Sequence, residues 1–213
     1  MKKLILATLL FSPLTFAQSY EGFYVGGGLG STTFSDDGYY SDGDAVLNGV
    51  GLGTVKTSSE TDGLSYRLIG GYQFNRIIAV EAQYTKYGSV KANRKFNNTT
   101  IATSESDYSS FTVAANLGYT FDNGIRPFVT AGLGSISVDQ TNHSNSTSAS
   151  NNFSFSDSAT ALRVGAGMEY SPEMFKGGAV RLAYEVDHFG LDNGGKTYTQ
   201  SIGSFYLGGT YKF

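Results

Sequence analysis

The chain has 213 residues with no cysteine and no tryptophan, which excludes a disulfide framework, a thiolate metal site and a cysteine nucleophile. Charged residues make up 15% of it, against about 25% in an average soluble domain, while 28 glycines and 15 each of Tyr and Phe enrich it in small and aromatic side chains. The formal net charge of −3 gives no global attraction to nucleic acid.

The N-terminus reads as a targeting segment. Lys2 and Lys3 precede the apolar run LILATLLFSPLTF, which ends at Ala17 with Thr15 two residues before it. This is a secretory signal with a loose small-x-small cleavage site, and removal after Ala17 is expected. The run falls short of the roughly 20 apolar residues of a spanning helix, and no later segment approaches that length. Residues 18–213 are then expected to form one domain.

The first stretch of that domain, FYVGGGLGSTTF, holds Gly26, Gly27, Gly28 and Gly30. A phosphate-binding loop of the G-x-G-x-x-G kind needs a helix after it. Ser31 stands where the last glycine should be, and STTFSDDGYYSDGD follows with no helical period. In strand register Phe23, Val25 and Leu29 share one face, and Gly26, Gly28 and Gly30 form a column on the other. The column is expected to leave room for inward side chains such as Arg67 and Tyr206.

Seven further alternating segments follow, centred near 62–74, 77–90, 108–121, 125–138, 158–170, 179–189 and 199–213. Short connections lie at Asn75-Arg76, at Asp122-Asn123-Gly124 with its hairpin signal, and at SPEMFKGG, residues 171–178. Long polar stretches occupy 35–61, 91–107, 139–157 and 190–198. In an antiparallel meander this order puts all long loops at one end and both termini with the short turns.

One face of the segments is apolar and ends in aromatic residues at the short-turn end: Leu64, Tyr66, Leu68, Tyr72 and Phe74, then Val113, Ala115, Leu117, Tyr119 and Phe121, then Phe205, Leu207, Tyr211 and Phe213. The other carries Arg67, Glu81, Gln83, Asn116, Arg126, Thr130, Arg163, Glu169, Arg181, Glu185 and Lys212. A water-soluble barrel would be polar outside. Here the apolar face with its aromatic end fits lipid and an interfacial girdle, and closure removes unpaired backbone from the hydrocarbon. The predicted class is all-β: an eight-stranded antiparallel up-and-down transmembrane β-barrel.

GFYVGGGLG at 22–30, YRLIGGYQF at 66–74, RPFVTAGLG at 126–134, RVGAGMEY at 163–170 and LGGTYKF at 207–213 resemble small outer-membrane barrels of the OmpA-like and OmpX/Ail type. The resemblance implies a Gram-negative outer membrane, extracellular long loops and periplasmic turns. It also implies that Phe213, Tyr211 and Leu207 form the signal read by the assembly machinery, with Gly209 departing from the pattern. Larger members add a peptidoglycan-binding domain, which is not carried over because this chain stops at the eighth strand.

Arg67, Arg163 and Arg181 with Glu81, Glu169 and Glu185 are expected to form a lumenal ion-pair network, a structural plug rather than a gated ion path. His143 lies in a polar loop and His188 in EVDHFG. Neither matches the His-x-Ser pattern of lipid-A deacylase barrels, and no metal-ligand spacing is present. No cofactor and no enzymatic activity are expected. Loop 35–61 is acidic and carries Tyr39 and Tyr40, with AVLNGVGLGTV read as a strand extension above the membrane. Lys91, Arg94 and Lys95 are positioned to meet lipopolysaccharide phosphates. Together these suggest a monomeric surface protein with a structural or adhesive role, whose partners are lipids, lipopolysaccharide and a surface ligand. A narrow channel and a lipid-A-modifying enzyme are the alternatives.

Overall fold

A computed structural model describes residues 20–49, 51, 53–144, 153–193 and 196–213. The signal segment with Ala17 and the middle of the third loop lie outside the described residues. So does the side chain of His143.

In chain order the elements are β1 (Gly22–Ser35), α1 (Tyr39–Asn48), β2 (Val55–Asp62), β3 (Leu64–Gln73), β4 (Ile78–Lys86), β5 (Ser89–Phe96), β6 (Thr99–Gly118), β7 (Ile125–Ser144), β8 (Phe153–Tyr170), β9 (Gly178–Asn193) and β10 (Lys196–Lys212). Every pairing is antiparallel, and eight strands close the ring β1-β3-β4-β6-β7-β8-β9-β10. The closing seam pairs the first and last strands from Tyr24 against Lys212 to Ser35 against Ser201.

The alternation sorts side chains as predicted. Phe23 and Leu29 are 68% and 61% exposed, while Tyr24 between the same pleats is buried. At the turn end the outward rings stack edge to face, Phe23 on Tyr72 at 4.6 Å, Tyr119 on Phe121 at 5.0 Å and Tyr211 on Phe213 at 5.3 Å. Above the belt the outward positions turn polar, as at Ser31, Ser109, Ser135 and Thr160.

The glycine column faces the lumen. Gly28 lies opposite Arg67 on β3 and Gly208 on β10, and a Cβ there would come within 2.8 Å of the Tyr206 ring. Arg67 stacks on that same ring at 4.2 Å. Gly70 differs, because it points outward and a Cβ would meet nothing within 4 Å.

The extracellular part departs from the sequence reading in three places. First, residues 91–107 are mostly strand: β5 and β6 join through Asn97-Asn98, both at positive φ (45° and 68°) as a tight turn prefers. Their outward side chains are polar because this wall rises clear of the membrane, so the apolar alternation that marks a spanning strand is missing. Second, the loop expected at 190–198 is largely taken up by β9 and β10, which run to Asn193 and from Lys196.

Third, residues 39–48 form helix α1, so the start of AVLNGVGLGTV (residues 45–55) is helical where a strand extension was expected, and β2 begins only at its last residue, Val55. The Asp36 carboxylate caps its first turn by accepting the Tyr40 N–H at 2.8 Å. Four residues apart on one face, Asp44 and Asn48 serve the edge of β2 that β5 does not cover. Asp44 accepts the Thr57 N–H and hydroxyl at 2.5 and 2.7 Å, and Asn48 exchanges hydrogen bonds with the Val55 backbone at 2.6 and 3.0 Å. Those contacts outweigh the local apolar pattern of AVL.

Gly28→Val should destabilise the refolded barrel by about 1–3 kcal/mol through overpacking. Gly70→Val should be neutral or stabilising, since it adds a β-favouring side chain to open space. Urea unfolding in phospholipid vesicles separates the two, and equal losses would contradict the account.

Candidate functional site

The lumen holds the densest chemistry. The inward faces of β3, β4, β8 and β9 bring Arg67, Glu81, Arg163, Arg181 and Glu185 together, each at 2% exposure or less. Glu81 on β4 and Arg181 on β9 come from opposite sides of the ring and meet at 2.6 Å. Arg181 also reaches Glu169, its register partner on β8, at 2.8 Å. Arg67 pairs directly with Glu185, which lies 3.8 Å from Arg163.

Of the further members, Gln83, Asn116, Arg126 and Tyr206 were expected on the inward face but not in the ion-pair network, whereas Asp187, Tyr24 and Tyr87 were not singled out. Asp187 is the principal partner of Arg163, at 2.6 Å and fully buried. It continues the inward series Arg181, Glu185 at the same parity, and that parity was the available signal. Arg126 binds Glu169 at 3.2 Å. The polar residues Gln83, Asn116, Tyr24, Tyr87 and Tyr206 complete the carboxylate shells, for example Tyr24 O–H to Glu81 at 2.6 Å and Tyr87 O–H to Asp187 at 2.7 Å. Arg67, Arg126, Arg163 and Arg181 are matched by Glu81, Glu169, Glu185 and Asp187, and the inward Lys212 at the turn end is held by Gln73 and the Tyr20 carbonyl.

An apolar layer covers this network on the extracellular side. Tyr87, Val90, Tyr108, Ile136, Phe189 and Ile202 are buried against one another, with Phe34 packed on them. Above them α1 lies across the mouth. Tyr39 stacks on Tyr198 at 5.3 Å, and Asp42 takes hydrogen bonds from Lys196 and from the Tyr198 hydroxyl. The hydroxyl of Tyr40 is pushed up in pKa, first by burial and then by the nearby Asp36 carboxylate.

The basic residues of β5 do not make one patch. Lys91 and Lys95 point outward, and Lys91 is paired with Asp62 at 2.7 Å. Arg94 points the other way, towards Thr57 on the mouth side, at 3.4 Å. Lys95 stands directly opposite Lys56 in the β2–β5 ladder. Neither is in an ion pair among the described residues.

His188 Nδ1 lies 2.7 Å from Ser201 Oγ across the β9–β10 ladder. Among the described residues no carboxylate joins this pair, so the orienting third member of a hydrolytic triad is not provided. Among the described residues there is also no cluster of three metal-ligating side chains.

A closed ring with a charged lumen, an apolar outer belt and an aromatic girdle defines a transmembrane β-barrel of the bacterial outer-membrane class. Residues 4–213 match the family described as outer membrane protein beta-barrel domain, and the chain belongs to it. Its fold is similar to that of Neisserial surface protein A, with a TM-score of 0.58 and 17% identity over 90% of this chain and 97% of that one. It is also similar to Ail, the attachment invasion locus protein of Yersinia pestis (TM-score 0.51, 16% identity, 91% and 99% covered). OprG from Pseudomonas aeruginosa is similar too (0.51, 12%, 92% and 97%). No curated protein matches the sequence. The protein resides in a Gram-negative outer membrane.

Arg163→Ala would strand Asp187 in the lumen, and a loss of about 3–5 kcal/mol is expected by urea unfolding. The α1 clamp should respond to acid. Hydrogen bonds from Lys196 and Tyr198 hold the Asp42 carboxyl below its usual pKa, so the clamp is intact above the ordinary aspartate range, about pH 4, and is lost as pH falls through the depressed value. Amide exchange in α1 should be slow relative to its intrinsic rate at neutral pH and lose that protection only as pH falls below the ordinary aspartate range. Unchanged protection would contradict the clamp.

Proposed function

We propose that the protein is a sealed, surface-displaying barrel that works by binding, with the membrane part as scaffold. The observation that carries this reading is the lumen itself, in which paired charges at 2% exposure or less lie beneath an aromatic layer. Such an interior leaves no aqueous path, so activity is assigned to the extracellular part. That part is substantial: β6 and β7 are 20 residues each, where about 9–11 suffice to cross the hydrocarbon.

The ligand class that fits best is a polyanionic surface glycan, whether lipopolysaccharide or a host sulfated saccharide. Lys56 and Lys95 face each other in the ladder, an arrangement that repels and that an anionic group would relieve. Ail, with a similar fold, was crystallised with the heparin analogue sucrose octasulfate, which agrees with this choice. Lys91 borders the same outward wall, whereas Arg94, Tyr39 and Tyr40 belong to the mouth and are assigned to holding α1. We read the protein as a monomer without enzymatic activity. Phe213, Tyr211 and Leu207, all outward-facing and exposed, are proposed as the assembly signal.

The test is retention of vesicle-inserted protein on immobilised heparin at low salt. Lys56→Glu/Lys95→Glu should bind on the order of tenfold more weakly than the parent, as expected for reversing a complementary charge pair. A parent that is not retained, or a variant equal to it, would contradict the glycan reading.

A further inference from the structure

The three short turns at the periplasmic end differ in chemistry. Asn75-Arg76 and Asp122-Asn123-Gly124 are polar, and Arg76 bridges them by pairing with Asp122 at 3.0 Å. The third turn, residues 171–177 between β8 and β9, carries Met174 and Phe175, which are 79% and 57% exposed. Its backbone is internally bonded, with Phe175 N–H to the Pro172 carbonyl at 2.9 Å and Gly178 N–H to the Phe175 carbonyl at 2.7 Å. The turn therefore holds its own shape and leaves both side chains exposed.

The turn is also fastened to the girdle. Lys212 donates its N–H to the Gly177 carbonyl at 2.7 Å. Gly177 has a φ of 80°, and a Cβ there would come within 3.3 Å of the Tyr211 ring. Tyr170 at the end of β8 and Tyr211 and Phe213 at the end of β10 are exposed rings of the lipid-facing belt. Met174 and Phe175 thus extend that belt past the last strand residue. Glu173 and Lys176 beside them cancel in charge, so nothing in the turn calls for a charged partner.

We propose that residues 171–177 form an interfacial anchor whose Met174 and Phe175 insert into the periplasmic leaflet at the head-group boundary. The occupant is lipid because the two side chains are continuous with a surface that lipid already covers. Apolar groups beside an interfacial aromatic belt gain by leaving water. The anchor is one-sided. The polar β3–β4 turn lies diametrically across the ring from the β8–β9 turn, so the barrel is drawn deeper on the β8–β9 side. This goes beyond the extracellular binding reading and does not depend on it.

The absence of tryptophan makes the test direct. Phe175→Trp, Asn123→Trp and Tyr211→Trp are each refolded as full chains into phosphatidylethanolamine/phosphatidylglycerol vesicles, with folding checked by heat-modifiable gel mobility. The Phe175→Trp emission should be blue-shifted and quenched by brominated lipid to nearly the extent of Tyr211→Trp, while Asn123→Trp stays quenched by iodide from the aqueous phase. A Phe175→Trp signal matching Asn123→Trp overturns the proposal. So does a blue shift that disappears as protein is diluted in lipid, which would assign the contact to a second copy of the chain.

Discussion

Glu81 and Arg181 meet at 2.6 Å across the full width of the lumen, and the rest of the molecule is organised around making that contact possible. An eight-stranded barrel is only wide enough for side chains to fill. Charges placed there are dry, and dry charges are tolerable only when each is matched and hydrogen-bonded. The chain meets most of that condition by setting Arg67, Arg126, Arg163 and Arg181 against Glu81, Glu169, Glu185 and Asp187, with tyrosine, glutamine and asparagine groups on the carboxylates, while Arg67 Nε and Nη2 and Arg126 Nε are buried without a hydrogen-bond partner among the described residues. The glycine columns belong to the same constraint. Gly28 gives space to Tyr206 and, through it, to the stacked Arg67.

The outer face follows from the inner one. Once every second residue is committed to the polar lumen, the others must suit hydrocarbon, and the aromatic rings gather where the belt ends near the short turns. Above the belt the outward positions change to serine, threonine and charged residues, and the wall continues as β2, β5 and the upper halves of β6 and β7. The scaffold and the surface it carries are thus one set of strands whose outward chemistry changes with height. Helix α1 closes the arrangement. It takes two edge residues of β2 through Asp44 and Asn48, reaches β10 through Asp42 and Tyr39, and lies over the aromatic layer.

The membrane-embedded half was legible in the sequence because lipid and a packed lumen impose opposite demands on alternate residues. The series Leu64, Tyr66, Leu68 against Ser65, Arg67 reads directly as two faces. The extracellular half was not legible for the same reason. Water bathes the outer side of β5 and upper β6, so Lys91, Asn93 and Lys95 alternate with Ala92 and Arg94 in a pattern that resembles a loop. Helix α1 was hidden because its stability is tertiary: its ten residues include Gly43 and are short for an isolated helix, and the hydrogen bonds that hold it come from residues 55–57 and 196–198. Asp187 was not singled out, although its parity with Arg181 and Glu185 marked it as inward.

Single-channel recording of the parent protein in planar bilayers asks whether the lumen is sealed. A lumen closed by compensated ion pairs beneath an aromatic layer predicts a flat baseline under applied voltage, in protein whose insertion is verified by protease protection. Stable, ohmic conductance steps that vanish when Tyr87 or Tyr108 is replaced by tryptophan would contradict it, because they would require a continuous aqueous path through the network.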